Sequence, residues 1–210
     1  HLPARLASVL EVIYLIFNEG YLATDSENLI RPDLCAEGVR LARLAHALMP
    51  EQAEVTGLLA LLLLTDARRP ARVDAAGDLI LLEQQDRSRW DRAAIAEGSK
   101  LLVSAMALRA PGPYQLQAAI AALHAEAARV EATDWTQILA LYRRLLQFSP
   151  SPVVALNAAV ALGMAGGPRA GLNWIALLEQ RGELLNYHLF WASKADLSRR
   201  LGDHQAAATA

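Results

Sequence analysis

The chain has 210 residues, 54% of them hydrophobic and 6% aromatic, enough apolar material for a sizeable core and too much for a disordered segment. Its formal net charge of -2 excludes a polyanion binder that works through bulk positive charge. A single cysteine, Cys35, excludes an intrachain disulfide and a cysteine metal cluster, and fits a reducing cytoplasm.

Lys100 and Lys194 are the only lysines, an arginine-rich habit of high-GC bacterial sequences. The longest apolar run, residues 57–64, is too short to cross a bilayer, and no cationic region leads into an apolar signal core. Because the chain opens on His1 directly before a helical pattern, we expect a piece of a longer protein.

Leu6, Val9, Leu10, Ile13 and Phe17 recur at three and four residues, the stripe of an amphipathic helix. Gly20 is expected to cap it in the left-handed conformation, with residues 21–28 as a loop. Pro32 is placed to open a second helix, whose stripe reads Leu34, Val39, Leu41, Leu44 and Leu48. A third helix, from about Glu51 to Asp66, is apolar on all sides in its middle and is expected at the centre of the first half.

Pro70 breaks the helical pattern. Residues 72–82 form either a short β-hairpin or an extended loop, the one plausible strand in the chain. Ser88 and Asp91 are read as a capping box for a helix from about Arg89 to Arg109. Pro111, Gly112 and Pro113 then separate it from a helix of about Tyr114 to Glu131. Asp134 and Gln137 form a second capping box, opening the helix that carries Trp135, Ile138, Leu141, Tyr142 and Leu145.

The last third repeats. Ser151-Pro152 starts one helix, Gly166, Gly167 and Pro168 turn into another, and Leu185-Asn186 begins a third that ends near Gly202. Asp203 opens one more, and that last unit is expected to be incomplete. Ile138 and Leu141 match Leu172 and Ile175 at a spacing of 34, the tetratricopeptide period, although the usual Trp-Leu-Gly-Tyr order is absent.

The densest polar stretch is DARRPARVDAAGDLILLEQQDRSRW, residues 66–90. Arg68, Arg69, Arg72, Arg87 and Arg89 alternate with Asp66, Asp74, Asp78, Asp86 and Asp91. Charge this balanced does not suit a phosphate-binding arm. The favoured reading is a network of arginine–aspartate pairs that fixes the loop between two helices. A functional reading is an arginine-lined recess for a partner's acidic tail or carboxylate, with Trp90 as packing anchor or hot spot.

An enzyme reading pairs Glu19 with Asp86 as acid and base, but nothing in the spacing brings them together. His124 and Glu126 are two apart and point to different faces, so no metal site is expected and no cofactor either. No phosphate loop, serine elbow, zincin or dinucleotide motif occurs.

Residues 5–21, 57–98, 112–127, 133–145 and 151–162 resemble the C-terminal extension of one group of extracytoplasmic-function RNA polymerase sigma factors. The charged segment GLLALLLLTDARRPARVDAAGDLILLEQQDRSRWDRAAIAEG is the most specific part. The resemblance implies an all-α, tetratricopeptide-like regulatory domain, attached to sigma domains that this chain lacks. It implies no catalytic residue.

The expected fold is therefore all-α: antiparallel helix pairs stacked as a right-handed superhelix with one irregular insert. Residues 1–132 form a helical subdomain with its insert near 66–90, and residues 133–210 form the repeats. The expected function is a non-catalytic interaction domain that modulates transcription initiation. Its expected partners are the sigma domains of the full-length chain, RNA polymerase or a regulatory protein; DNA is reached only through the missing domains, no membrane is involved, and a homo-oligomer is compatible.

The candidate partner-binding or structural residues are Asn18, Glu19, Tyr21, Asp66, Arg68, Arg69, Arg72, Asp86, Arg87, Trp90 and His124. The alternative is a small-molecule sensor or hydrolase. It requires Asn18, Glu19, Asp66, Arg69, Asp86 and His124 to converge in a deep polar cavity.

Overall fold

The computed structural model describes residues 2–23 and 29–209. Among them the regular structure is helical, and within each of two units consecutive helices pack on each other as antiparallel pairs. The chain divides into two compact units, His1–Ala132 and Thr133–Ala210.

The first unit contains α1 (Leu2–Tyr21), α2 (Pro32–Leu48), α3 (Ala53–Asp66), α4 (Arg92–Ala107) and α5 (Pro113–Glu126). Eleven of the fourteen residues of α3 are buried, so it is the core element that its all-round apolar sequence predicts. α1, α2, α4 and α5 all pack on it. Leu58, Leu62 and Leu64 are fully enclosed; each contributes about 1.5–3 kcal/mol through burial.

Two expectations change here. Gly20 is not a left-handed cap, because it lies inside α1 at negative φ. It serves a close approach instead: a Cβ at this position would sit 2.5 Å from the backbone nitrogen of Cys35 and 2.9 Å from the Arg31 carbonyl. Of the expected loop that follows, residues 24–28 lie outside the described residues.

The buried face of α2 is also not the leucine stripe. It is Cys35, Gly38, Ala42 and Ala45, whereas Leu44 and Leu48 are exposed. Small residues win this face because α1 comes so near: a Cβ on Gly38 would meet that of Phe17 at 2.9 Å.

Pro32 stands in the first turn of α2, as its fixed φ favours. The helix expected from Arg89 starts instead at Arg92. Asp91 is its N-cap, accepting from the Ala94 amide, while Ser88 is hydrogen-bonded to Asp86, so no Ser88–Asp91 capping box forms. α4 ends early, with Arg109 at φ 54. α5 likewise stops at Glu126, and Val130–Ala132 makes a separate 3₁₀ turn.

The second unit contains α6 (Trp135–Phe148), α7 (Pro152–Gly166), α8 (Pro168–Arg181), α9 (His188–Leu201) and α10 (His204–Thr209). Asp134 caps α6 through the Gln137 amide, and Ser151 caps α7 through Val153. α7 and α8 cross where Gly163 meets Gly171: the Gly163 Cα atom lies 2.9 Å from where a Gly171 Cβ would stand. Leu197 of α9 closes over both glycines. Small residues at this contact are what a tetratricopeptide-like pair needs.

The register differs slightly from the one read in the sequence. α6 and α8 start 33 residues apart, which aligns buried Ile138 and Leu145 with buried Gly171 and Leu178. Leu141 and Leu172, which the 34-residue spacing selects, are only partly buried.

Candidate functional site

The charged block links the end of α3 to the start of α4. It passes through 3₁₀ turns at Arg69–Ala71, Leu82–Gln84 and Arg87–Arg89. Its two ends are tied directly, since the Asp91 amide donates to the Ala67 carbonyl at 2.9 Å. Between them the chain reverses at a tight tip, with a single antiparallel bridge between Val73 and Leu79. This settles the open choice at residues 72–82 in favour of a loop with one hairpin-like contact.

The aspartates of the block mostly serve the backbone. Asp74 accepts from the amides of Ala76 and Asp78, Asp86 from the amide and hydroxyl of Ser88, and Asp91 from Ala94. Short acidic side chains do this well because their oxygens reach amides two or three residues on. The Ser88 bonds hold the exposed Asp86 carboxyl below its ordinary range, which leaves it poorly suited to act as a general acid.

Among the described residues, Asp66 and Arg69 form the one arginine–aspartate ion pair within the block, with Nε to Oδ1 at 2.8 Å and Nη2 to Oδ2 at 3.3 Å. The broader network of such pairs does not form among the described residues: backbone amides have taken the carboxylates of Asp74, Asp86 and Asp91. Arg87 turns to carbonyls and an aromatic ring instead, and Arg72 to an aromatic ring.

Two clusters result. In the first, the Asp66–Arg69 pair lies against buried Cys35, whose thiol is pushed up to about 11 by burial and then by the neighbouring Asp66 charge. The Arg72 guanidinium stacks 3.9 Å above the ring of Tyr21, which in turn stacks on Phe17. The Tyr21 hydroxyl and Arg72 Nε are buried without a hydrogen-bond partner.

In the second cluster, Arg87 Nη1 donates to the carbonyls of both His124 and Ala127 at 2.8 Å. It thereby satisfies orphan carbonyls at the end of α5 and places positive charge at that helix terminus. The same guanidinium lies 4.4 Å above the ring of Trp90, which is 2% exposed. Burial, with Arg68 and Arg87 nearby, pushes the His124 imidazole down to about 4, so it is neutral at pH 7.

Asn18 belongs to neither cluster and hydrogen-bonds Tyr14 on α1. Glu19 is half-buried on the last turns of the same helix. A polar convergence of Asn18, Glu19, Asp66, Arg69, Asp86 and His124 is not the arrangement found: Asp66–Arg69, Asp86 and His124 have separate partners. An open cavity of about 460 Å³ does lie between α1 and α2, but it is apolar, lined by Val9, Val12, Leu41, Leu44, Leu48 and Met49.

Two structural residues had no signal in the sequence. Glu54, in the first turn of α3, caps a different helix, accepting from the Tyr114 amide at 2.8 Å and from the Gln115 amide and side chain at 3.1 and 3.0 Å. Arg92 donates to the Arg87 carbonyl and so tethers the last 3₁₀ turn to α4. Among the described residues no group of three or more His, Cys, Asp or Glu is arranged to hold a metal ion, and no helix is long and apolar enough to cross a membrane.

Comparison with known proteins finds two sequence matches. Residues 5–106, which include the charged block, match DUF6596, a family of unknown function. The chain is 48% identical over 207 residues to an uncharacterized protein of Rhizobium meliloti (strain 1021), an alignment covering 98% of this chain and 48% of that protein. No solved structure matches. The chain thus spans about half the length of the curated relative it matches.

Proposed function

We propose that this chain is a non-catalytic interaction domain of a bacterial extracytoplasmic-function sigma factor, acting in the cytoplasm to modulate transcription initiation. The observation that carries the reading is the resemblance of its segments, above all residues 57–98, to the C-terminal extension of that group. The helix-pair architecture supports a docking role, because such stacks bury their cores between neighbours and leave helix faces open to a partner. The greater length of the aligned relative leaves room for further domains beside this one.

In this reading the charged block holds shape. Arg87 fastens the end of α5, Asp91 and Ala67 tie the start of α4 to the end of α3, and Asp66–Arg69 braces the junction with α2. The docking partner is the sigma domains of the full-length chain, RNA polymerase or a regulatory protein, and DNA is contacted through the sigma domains. Deletion of this segment from the full-length protein, followed by transcription from a target promoter, tests the proposal. A changed output is expected, and equal output under all conditions defeats it.

A further inference from the structure

The second cluster carries more positive charge than its structural work requires. The turn containing Arg69–Ala71 packs on the turn containing Arg87–Arg89, which brings Arg68 to Arg87, and Arg92 is bonded to the Arg87 carbonyl. Arg68 and Arg87 thus lie beside His124, and Arg92 lies beside Arg87. Asp66 is committed to Arg69, and Asp74, Asp86 and Asp91 to backbone amides or Ser88. Glu126 accepts from Ser99. Glu131 lies near Arg87, but among the described residues no carboxylate is within ion-pair distance of Arg68, Arg87 or Arg92.

Burial depresses both Arg87 and His124, and repulsion between like charges held together adds to it. Donors here also lack acceptors. Arg68 Nε, Arg87 Nε and the Trp90 indole nitrogen are buried with no hydrogen-bond partner, and Trp90 is 2% exposed. Such orphans are uncommon in native proteins. A planar carboxylate matches guanidinium donors geometrically, and Arg68 and Arg87 are each only partly buried.

We propose that Arg68 and Arg87, backed by Trp90, bind the carboxylate side chains of an acidic peptide segment on a partner protein. The proposal rests on the docking reading above and adds the chemistry of the contact.

The test is a nitrogen-15 NMR titration of the whole chain with acetylated, amidated tetraglutamate, following the Trp90 indole and the Nε–H signals of Arg68 and Arg87. Saturable shifts at these three groups are expected, weakened by added salt. Arg68→Gln is expected to weaken binding by about tenfold or more. Arg68→Lys, which keeps the charge and loses the planar fork, is expected to weaken it less, and Arg109→Gln to leave it unchanged.

Absence of shifts, or equal affinity in Arg68→Gln, overturns the proposal. So does saturation of the same signals by inorganic phosphate when tetraglutamate leaves them unmoved. If Arg68→Gln does not fold, unchanged affinity in a folded Arg68→Lys overturns it equally. A failed titration alongside an altered transcriptional output refutes this site alone, whereas a deletion without effect refutes the docking reading itself.

Discussion

Removing the Arg87 guanidinium is the sharpest test of the block as a clamp. Its Nη1 donates to two carbonyls at the end of α5, and its plane covers Trp90. Each hydrogen bond from a charged donor contributes about 1.5–3 kcal/mol and the stacking about 0.5–1 kcal/mol, so a simple sum exceeds about 3 kcal/mol. Two effects oppose that sum: Arg87 is itself partly desolvated, and Arg68 and Arg92 repel it. Relief of both on substitution brings the expected loss to about 2 kcal/mol.

Arg87→Met keeps the stem over Trp90 and so isolates the polar contribution. The measurement is thermal unfolding followed by helical circular dichroism, with an expected fall in midpoint of about 4–8 °C. Hydrogen exchange localises the loss, with protection falling first in the last turn of α5. Arg87→Lys, which reaches one carbonyl but not both, is expected to recover less than half. A midpoint unchanged in Arg87→Met refutes the reasoning.

Three other outcomes follow from the geometry. His124 is neutral in the folded chain down to about pH 4, whereas the unfolded chain takes up its proton near 6.5. Stability is therefore full above pH 6.5 and declines as pH falls towards 4, by about 3 kcal/mol in total; urea titrations should show that decline flattened in His124→Gln. Gly20→Ala drives a Cβ against the Cys35 backbone nitrogen and is expected to cost about 2–3 kcal/mol in urea unfolding, while a neutral result contradicts the close α1–α2 approach. Glu54→Ala strips the cap from α5 and is expected to cost about 2 kcal/mol, with faster exchange at the Tyr114 and Gln115 amides as its signature.

Much of the fold was legible because local rules sufficed. The all-round apolar run of α3 marks a central helix, Pro32 and Pro152 mark first turns, and Asp134 marks the start of α6. The α2 face was misread because counting hydrophobic residues favours leucine, while the close approach of α1 selects for small volume at Cys35, Gly38, Ala42 and Ala45. Gly20 misled for the same reason: spacing reveals a glycine but not whether conformation or clearance requires it.

The candidate site was legible as a location and not as a set of pairs. Arginines and aspartates close in sequence can pair, yet a carboxylate two residues from an amide caps it more easily than it reaches a guanidinium. The partners that remained lay far along the chain. Arg87 meets carbonyls 37 and 40 residues away, and Glu54 meets amides 60 and 61 away. Periodicity carries no information about such contacts.

The docking role itself is tested most directly by calorimetric titration of the purified chain into separately expressed sigma domains of the proposed full-length protein, free and bound to core RNA polymerase. The account predicts saturable binding in at least one of the two titrations. Flat isotherms in both would contradict it.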